Sequence, residues 1–234
     1  MEFNVCHLLG CGGTGSHLAT PLIQQCMFHA GVYDFLFYDG DSYETNNFTR
    51  QVMSVDDIGK NKATSTVDRL RQSFKDVRFT AVERYVTPAV MTAYLDQYES
   101  DDKWQLVIMA IDSDASRHEL IKAIDKSPHN VAVILPGNGY NTCNVLWYLS
   151  DKSGKAIPCH PFDMAENWAR PKDKPRYSCQ YEADSSPQLI TANFAAAFFT
   201  LSVVRALTDD RIIPPVLTYD DNLLTLKTEG LCYT

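Results

Sequence analysis

Four short stretches hold residue types whose spacing suits phosphate chemistry. The first is Gly10-Cys11-Gly12-Gly13-Thr14-Gly15-Ser16. Glycines let a backbone approach a phosphate closely, and a helix starting there adds free N–H donors and a positive dipole end. Alone, such a turn points to a nucleotide without saying which, and it serves equally to pack a helix on a sheet. The second is the acid pair Asp39 and Asp41, followed by Asn46-Asn47-Phe48-Thr49-Arg50-Gln51. An acid at that place accepts hydrogen bonds from a ribose. The third is Ile58-Gly59-Lys60-Asn61-Lys62-Ala63 and the fourth Asp112-Ser113-Asp114-Ala115-Ser116-Arg117. Arg50 offers a planar fork and Lys62 a point charge. Asp112 is a hard oxygen ligand of the kind magnesium prefers. Each has a plain structural alternative: a surface ion pair for Arg50, a solvated helix lysine for Lys62, a helix N-cap for Asp112. A nucleotide-dependent dehydrogenase would account for the glycine turn and Asp39, but would leave Arg50, Lys62 and Asp112 unexplained as a set.

These stretches fall at the ends of expected strands. Apolar runs predict strands over Phe3–Leu9, Phe35–Tyr38, Val77–Val82, Leu106–Ile111, Val131–Leu135 and Thr142–Leu149. Periodicity predicts helices over Thr14–His29, Ile58–Phe74, Pro88–Tyr98, Asp114–Lys126 and Gln188–Leu207. Gly31 is the expected stop of the first helix. Val216–Tyr219 and Leu223–Lys227, split by Asp220-Asp221-Asn222, read as a closing hairpin. Alternating strands and helices predict parallel pairing through right-handed crossovers. The wholly apolar Leu106–Ile111 predicts a sheet covered on both faces. The expected class is α/β: a Rossmann-like, mostly parallel sheet flanked by helices, with a long crossover loop and a C-terminal helix plus hairpin. One domain is expected, with a nucleotide-binding core over 1–149, the crossover loop over 150–187 and the closing helix and hairpin over 188–234. The loop carries Pro158, Pro161, Pro171, Pro175 and Pro187 and little periodicity. A loop of that length is functional or mobile.

Taken in order, GCGGTGS, DGD…NNFTRQ, IGKNKA and DSDASR resemble the motifs of the ThiF/MoeB/HesA family, which includes the adenylation domains of ubiquitin-activating enzymes. The likeness covers Val5 to Arg117, and the tail helix and hairpin look similar too. It implies ATP binding and adenylation of a carboxylate. Gly10, Gly12, Gly13, Gly15, Asp39, Asp41, Asn47 and Gln51 would then surround the nucleotide, with Asp39 on the ribose. Arg50 and Lys62 would meet the phosphates, and Asp112 would hold magnesium. The resemblance implies ATP and Mg2+ as cofactors. It also implies a homodimer, and a small ubiquitin-like or sulfur-carrier protein, or a peptide, whose C-terminal carboxylate is activated. Charge accumulates on the leaving pyrophosphate, and fixed cations, a metal and backbone donors stabilise it without reorganising.

The chain also departs from the family pattern. In the S-N-L-N-R-Q motif the serine and the second asparagine are replaced, and the D-N pair is Asp112-Ser113. The arginine that many members carry ahead of the first strand has no counterpart, and the zinc-binding cysteine pairs are absent, so no structural zinc is expected. A non-catalytic partner built on the adenylation fold is therefore a further alternative. Some relatives pass the activated substrate to a cysteine as a thioester. Cys179, in Arg176-Tyr177-Ser178-Cys179-Gln180 ahead of a helix with Gln188 and Asn193, resembles the ThiF-like proteins of PRTRC systems, which occur on plasmids and phages. It has Arg176 and a coming helix to favour a thiolate. Cys159, beside His160, is its rival.

Composition bounds the partners. The chain has 234 residues, with 21 Lys+Arg against 29 Asp+Glu and a net charge of −8. With 45% apolar and 21% charged residues it has the make-up of a globular domain, not a disordered tail or a coiled coil. The acidic balance predicts no nucleic acid and no membrane as partner. The N-terminus lacks the pattern of a signal peptide, and Phe194–Leu207 is expected as a buried helix because a membrane span needs about 20 apolar residues. Seven cysteines, none spaced CxxC, predict no disulfide framework and a reducing cytoplasm. Cys6 and Cys26 are expected in the core, Cys11 as a small filler, and His17, His29 and His118 at helix surfaces.

Overall fold

The computed structural model describes residues 1–153, 156–174, 188–211 and 213–220, and the backbone of 225–229. Five apolar runs form the parallel half of one sheet: Phe3–Leu9 (β1), Asp34–Tyr38 (β2), Arg78–Val82 (β3), Trp104–Met109 (β4) and Val131–Asn138 (β5), in the order β3-β2-β1-β4-β5. All four pairings among them are parallel. The sheet continues antiparallel through Thr142–Ser150 (β6), Val216–Asp220 (β8) and Thr225–Glu229 (β9), while Ala156–Ile157 (β7) pairs with β6. This is the expected mixed, mostly parallel architecture, and the closing hairpin is present.

Helices cover both faces, as the uninterrupted apolar strands require. One face packs Gly13–Gln25 (α1), Lys62–Ser73 (α2) and Ile190–Thr208 (α7) through Leu18, Leu22, Val67, Ala196 and Val203. The other packs Pro88–Gln97 (α3) and Asp114–Asp125 (α4) through Met91, Leu95, Leu120 and Ile121. Strand periodicity splits β1 between them: Cys6 and Leu8 join the first core, Val5 and Leu9 the second. His7 lies in the same strand, wholly buried. Its Nε2–H donates to Gln105 Oε1 at 3.2 Å, and its Nδ1 accepts from the Tyr38 hydroxyl at 2.8 Å. Burial holds its pKa down to about 4. By length and composition α7 could cross a membrane, but 56% of its apolar window is buried within the protein, which agrees with the core helix expected from the sequence.

Several elements differ from the sequence reading. The second helix starts at Lys62, not at Ile58. Gly59 has φ +82°, and Asn61 caps the helix by accepting from the Ala63 and Thr64 amides. Strand β5 runs on through Pro136 and Gly137 to Asn138. Its pairing with β4 stops at Ile134, so on that side the N–H missing at Pro136 leaves no ladder partner wanting. The expected crossover loop also contains structure: β7 and two short helices, Pro161–Met164 (α5) and Glu166–Ala169 (α6). Trp168 buries itself against the α3/α4 core and gives this segment an anchor that periodicity could not reveal.

Candidate functional site

The parallel order brings the C-terminal ends of β2, β1 and β4 side by side, the usual place for a ligand crevice in open α/β sheets. The glycine turn leaves β1 there. Gly10 has φ +93°, its N–H donates to Tyr38 O at 2.8 Å, and a Cβ on it would lie 2.2 Å from Ala110 O. A Cβ on Gly15 would lie 1.9 Å from Gly10 O. Gly12 differs: the nearest atom to its absent Cβ is Gln51 Nε2, at 3.8 Å. Helix α1 has no side-chain cap at Gly12 and no acid in its first turn, so its N-terminus keeps its positive character.

The acid pair closes the β2 side. Asp39 is buried, and its two oxygens accept the Cys11 N–H at 2.7 Å and the Asp41 N–H at 2.9 Å. Burial pushes its pKa up to about 6, against the pull of Lys62. Lys62 is buried at the start of α2, with Nζ 3.3 Å from Asp41 Oδ2. Tyr85 donates to the other Asp41 oxygen and lays its ring where a Cβ on Gly40 would go. Asn61 ties the corner together, donating to the carbonyls of Asp39 and Asp41. Tyr85 and Asn61 were not singled out from the sequence. Asn61 stood within the IGKNKA stretch but inside the helix expected from Ile58, so its capping role was not read, and Tyr85 arrives only through the pairing of β3 with β2.

The Arg50–Gln51 stretch is fastened to α1 from the far side. Ser16 Oγ donates to Gly13 O and accepts the Val52 N–H at 3.0 Å. His17 Nε2 donates to Arg50 O at 3.0 Å, so this histidine is not simply surface-exposed as expected. Arg50 is half-buried, and no described residue pairs with its guanidinium. Gln51 is buried and its Oε1 has no hydrogen-bond partner among the described residues. Asn47 does something else: its Oδ1 accepts the Glu44 N–H at 3.0 Å and its Nδ2 donates to Asn46, closing the short 3-10 turn Thr45–Thr49. Its side-chain bonds are thus local and shape the turn that delivers Arg50 and Gln51.

Asp112 follows β4 at the same edge and is exposed. The helix cap next to it is Ser113, not Asp112. Ser113 Oγ accepts the Ser116 N–H at 3.1 Å, and Asp173 reaches in to accept from Ser113 Oγ at 2.7 Å and from the Ala115 N–H at 2.9 Å. Arg117, from the same motif, turns away from the crevice. Its guanidinium donates to Asp114 at 3.1 Å and to Pro136 O at 2.6 Å, with Trp168 against it at 5.1 Å. Among the described residues no group of three or more His, Cys, Asp or Glu is arranged to hold a metal ion.

Of the cysteines, Cys6, Cys11, Cys26 and Cys143 are free and buried. Burial pushes the Cys11 thiol well up, and Asp39 adds to the effect, which fits a filler and not a nucleophile. Cys179 lies outside the described residues. Cys159 is disulfide-bonded, so it is not the free thiol weighed as a rival to Cys179. Neighbouring His160 spends both ring nitrogens, Nε2 on Asp125 at 2.8 Å and Nδ1 on the Phe162 N–H, so neither is left to assist a thiol.

The family model described as "ThiF family" matches residues 3–226. No curated protein sequence matches the chain. Among solved structures, E. coli MccB with ATP is 18% identical with a TM-score of 0.64, covering 97% of this chain and 64% of its own. MccB in complex with N-formylated MccA gives 18% and 0.66 with the same coverage. E. coli tRNA N6-threonylcarbamoyladenosine dehydratase, TcdA, in complex with AMP gives 18% and 0.61, covering 88% of this chain and 86% of that one. The chain thus spans 64% of the length of the MccB structures it resembles. At this identity the likeness establishes the fold.

Proposed function

The chain belongs to the ThiF family, and on that premise we propose that it is an ATP-dependent adenylyltransferase acting on the C-terminal carboxylate of a peptide or of a small ubiquitin-like or sulfur-carrier protein. A carboxylate oxygen bonds to the α-phosphorus, the bridging bond to the β-phosphate breaks, and pyrophosphate leaves. The observation that carries the reading is the gathering of a glycine turn, an acid pair and Arg50 with Gln51 around one crevice. The residues fit a nucleotide with a divalent ion. Gly12 leaves room beside the uncapped start of α1, and neither the buried Gln51 oxygen nor the Arg50 guanidinium has a partner among the described residues. Asp39 and Asp41 would receive the ribose, and Lys62 and Arg50 the phosphates. Asp112 with phosphate oxygens would hold magnesium, which keeps most of its ligands outside the protein. When bound, that ion would neutralise charge on the polyphosphate. Solved MccB carries ATP in one structure and the peptide MccA in another, which supports a peptide as the acceptor class. The net charge of −8 disfavours a tRNA substrate of the kind named for TcdA.

The test is Mg-ATP binding by calorimetry, followed by ATP–pyrophosphate exchange driven by a panel of peptide and small-protein C-termini. Absence of Mg-ATP binding, with protection by NADH instead, would overturn the reading in favour of a dehydrogenase. Binding without exchange against the whole panel would favour a non-catalytic partner. Onward transfer to Cys179 is separable: Cys179→Ala should keep exchange and lose a thioester adduct on denaturing gels. A homodimer belongs to the same proposal. Ile190, Phe194 and Phe198 are exposed four residues apart along α7, and Phe194 meets the His17 ring at 4.2 Å, so the stripe reaches α1. A monomer by light scattering would count against it.

A further inference from the structure

Asn193 is a polar residue in an otherwise apolar stretch of α7, and it is completely buried. Buried side-chain amides are retained when their hydrogen bonds are met, and these are. Its Oδ1 accepts Asn138 Nδ2 at 2.6 Å and the Thr14 hydroxyl at 3.3 Å, and its Nδ2 donates to Leu189 O at 3.2 Å. Asn138, at the end of β5, also donates to Gln188 Oε1 at 3.2 Å. The same Asn193 oxygen sits 2.4 Å from where a Cβ on Gly13 would be. One amide therefore fills the space a Gly13 side chain would need, ties the turn at Thr14, and joins it to the end of β5.

We propose that Asn193 is a positioning residue: with Thr14 and Asn138 it sets the height of the glycine turn over α7, and so the aim of the turn amides at a bound polyphosphate. This rests on the nucleotide reading above. It assigns no contact with the nucleotide to Asn193 itself. The acid pair meets the turn at its other end, where Asp39 accepts the Cys11 N–H at 2.7 Å, and neither acid bonds to Asn193, Thr14 or Asn138. The latch thus acts on phosphate binding and leaves nucleoside binding alone, a split that general loosening of the fold would not produce.

Calorimetry with two probes, Mg-ATP and adenosine, tests this on the full chain. Asn193→Ala should weaken Mg-ATP by about tenfold, the scale of coupling between residues in direct contact, and leave adenosine unchanged. Gly13→Ala should weaken Mg-ATP further, and Asn193→Ala in the same chain should restore part of that loss by removing the oxygen the new methyl meets. Thr14→Val is the mild variant should Gly13→Ala fail to fold. It should weaken Mg-ATP about threefold, and combining it with Asn193→Ala should cost less than the two losses together. Equal weakening of both probes, or full additivity, would overturn the latch while leaving the nucleotide reading intact. Failure of the unaltered protein to bind Mg-ATP would instead overturn that reading, and the latch with it.

Discussion

Arg50 and Arg117 come from two motifs of equal standing in the sequence, and the fold gives them opposite surroundings. Arg50 is half-buried with its head group unpaired by any described residue. Arg117 has 7% of its side chain exposed and is held by Asp114, the Pro136 carbonyl and the Trp168 ring. Burial tends to lower its pKa, and the carboxylates of Asp114, Asp112 and Asp173 oppose that. A cation kept unpaired at a crevice is available to a ligand. A cation already surrounded by partners holds the protein together, here by locking the crossover segment to the end of β5. Motif membership alone did not separate the two roles, because the separating atoms come from Pro136 and Trp168, remote in sequence from Arg117.

The contrast can be broken from the structural side first. Arg117→Ala should lower the unfolding free energy by about 3–5 kcal/mol, the usual result of stripping one partner from a buried ion pair. Chemical denaturation measures it, and a loss below 1 kcal/mol would erase the distinction. On the ligand side, Arg50→Ala and Lys62→Ala should each weaken transition-state stabilisation by about 2.7–4 kcal/mol, or 10²–10³ in exchange rate. The melting temperature of Arg50→Ala should stay close to that of the parent, and a large drop would place Arg50 with Arg117.

A pH titration sharpens the comparison between the crevice and the sheet interior. Asp39 has its pKa raised to about 6, so the folded state binds its proton more tightly than the unfolded chain does. Its contribution to stability should fall by about 2–3 kcal/mol as pH rises from 4 to 7. His7, held down to about 4, works in the opposite sense, costing stability as pH falls below its unfolded value toward 4. Asp39→Asn should therefore remove a falling limb from the stability curve between pH 4 and 7, and His7→Gln a rising one. Parallel changes in the two variants would contradict these assignments. The smallest effect is expected at the α4 cap, where Ser113→Ala should cost about 1 kcal/mol. An effect within error would mean that Asp173 caps α4 unaided.

Much of the fold was legible because it rests on period and punctuation. The uninterrupted apolar run of β4 demanded a covered sheet, and Gly31 ends the first helical segment in a left-handed cap, as expected. Legibility failed where partners came from afar. Pro136 reads as a strand breaker until β4 is seen to stop short of it. The segment around Trp168 has no periodicity, and its order comes from the core it plugs. In the crevice, Asp39, Lys62 and the glycines were visible as motif residues, and Asn193 only as a motif neighbour of Cys179. Its bonds to Thr14 and Asn138 span 179 and 55 residues, beyond any local pattern. His17 was expected at a helix surface because its partner is a backbone carbonyl, which no residue type advertises.

The glycines of the turn answer to different masters. Gly10 and Gly15 are forbidden a side chain by the protein's own main chain, whatever the crevice does. Gly12 meets nothing closer than an amide nitrogen 3.8 Å away, so no neighbouring atom forbids an alanine there. Substitution at Gly12 would then ask no neighbouring atom to move, whereas substitution at Gly10 or Gly15 would ask the main chain at Ala110 or Gly10 to shift.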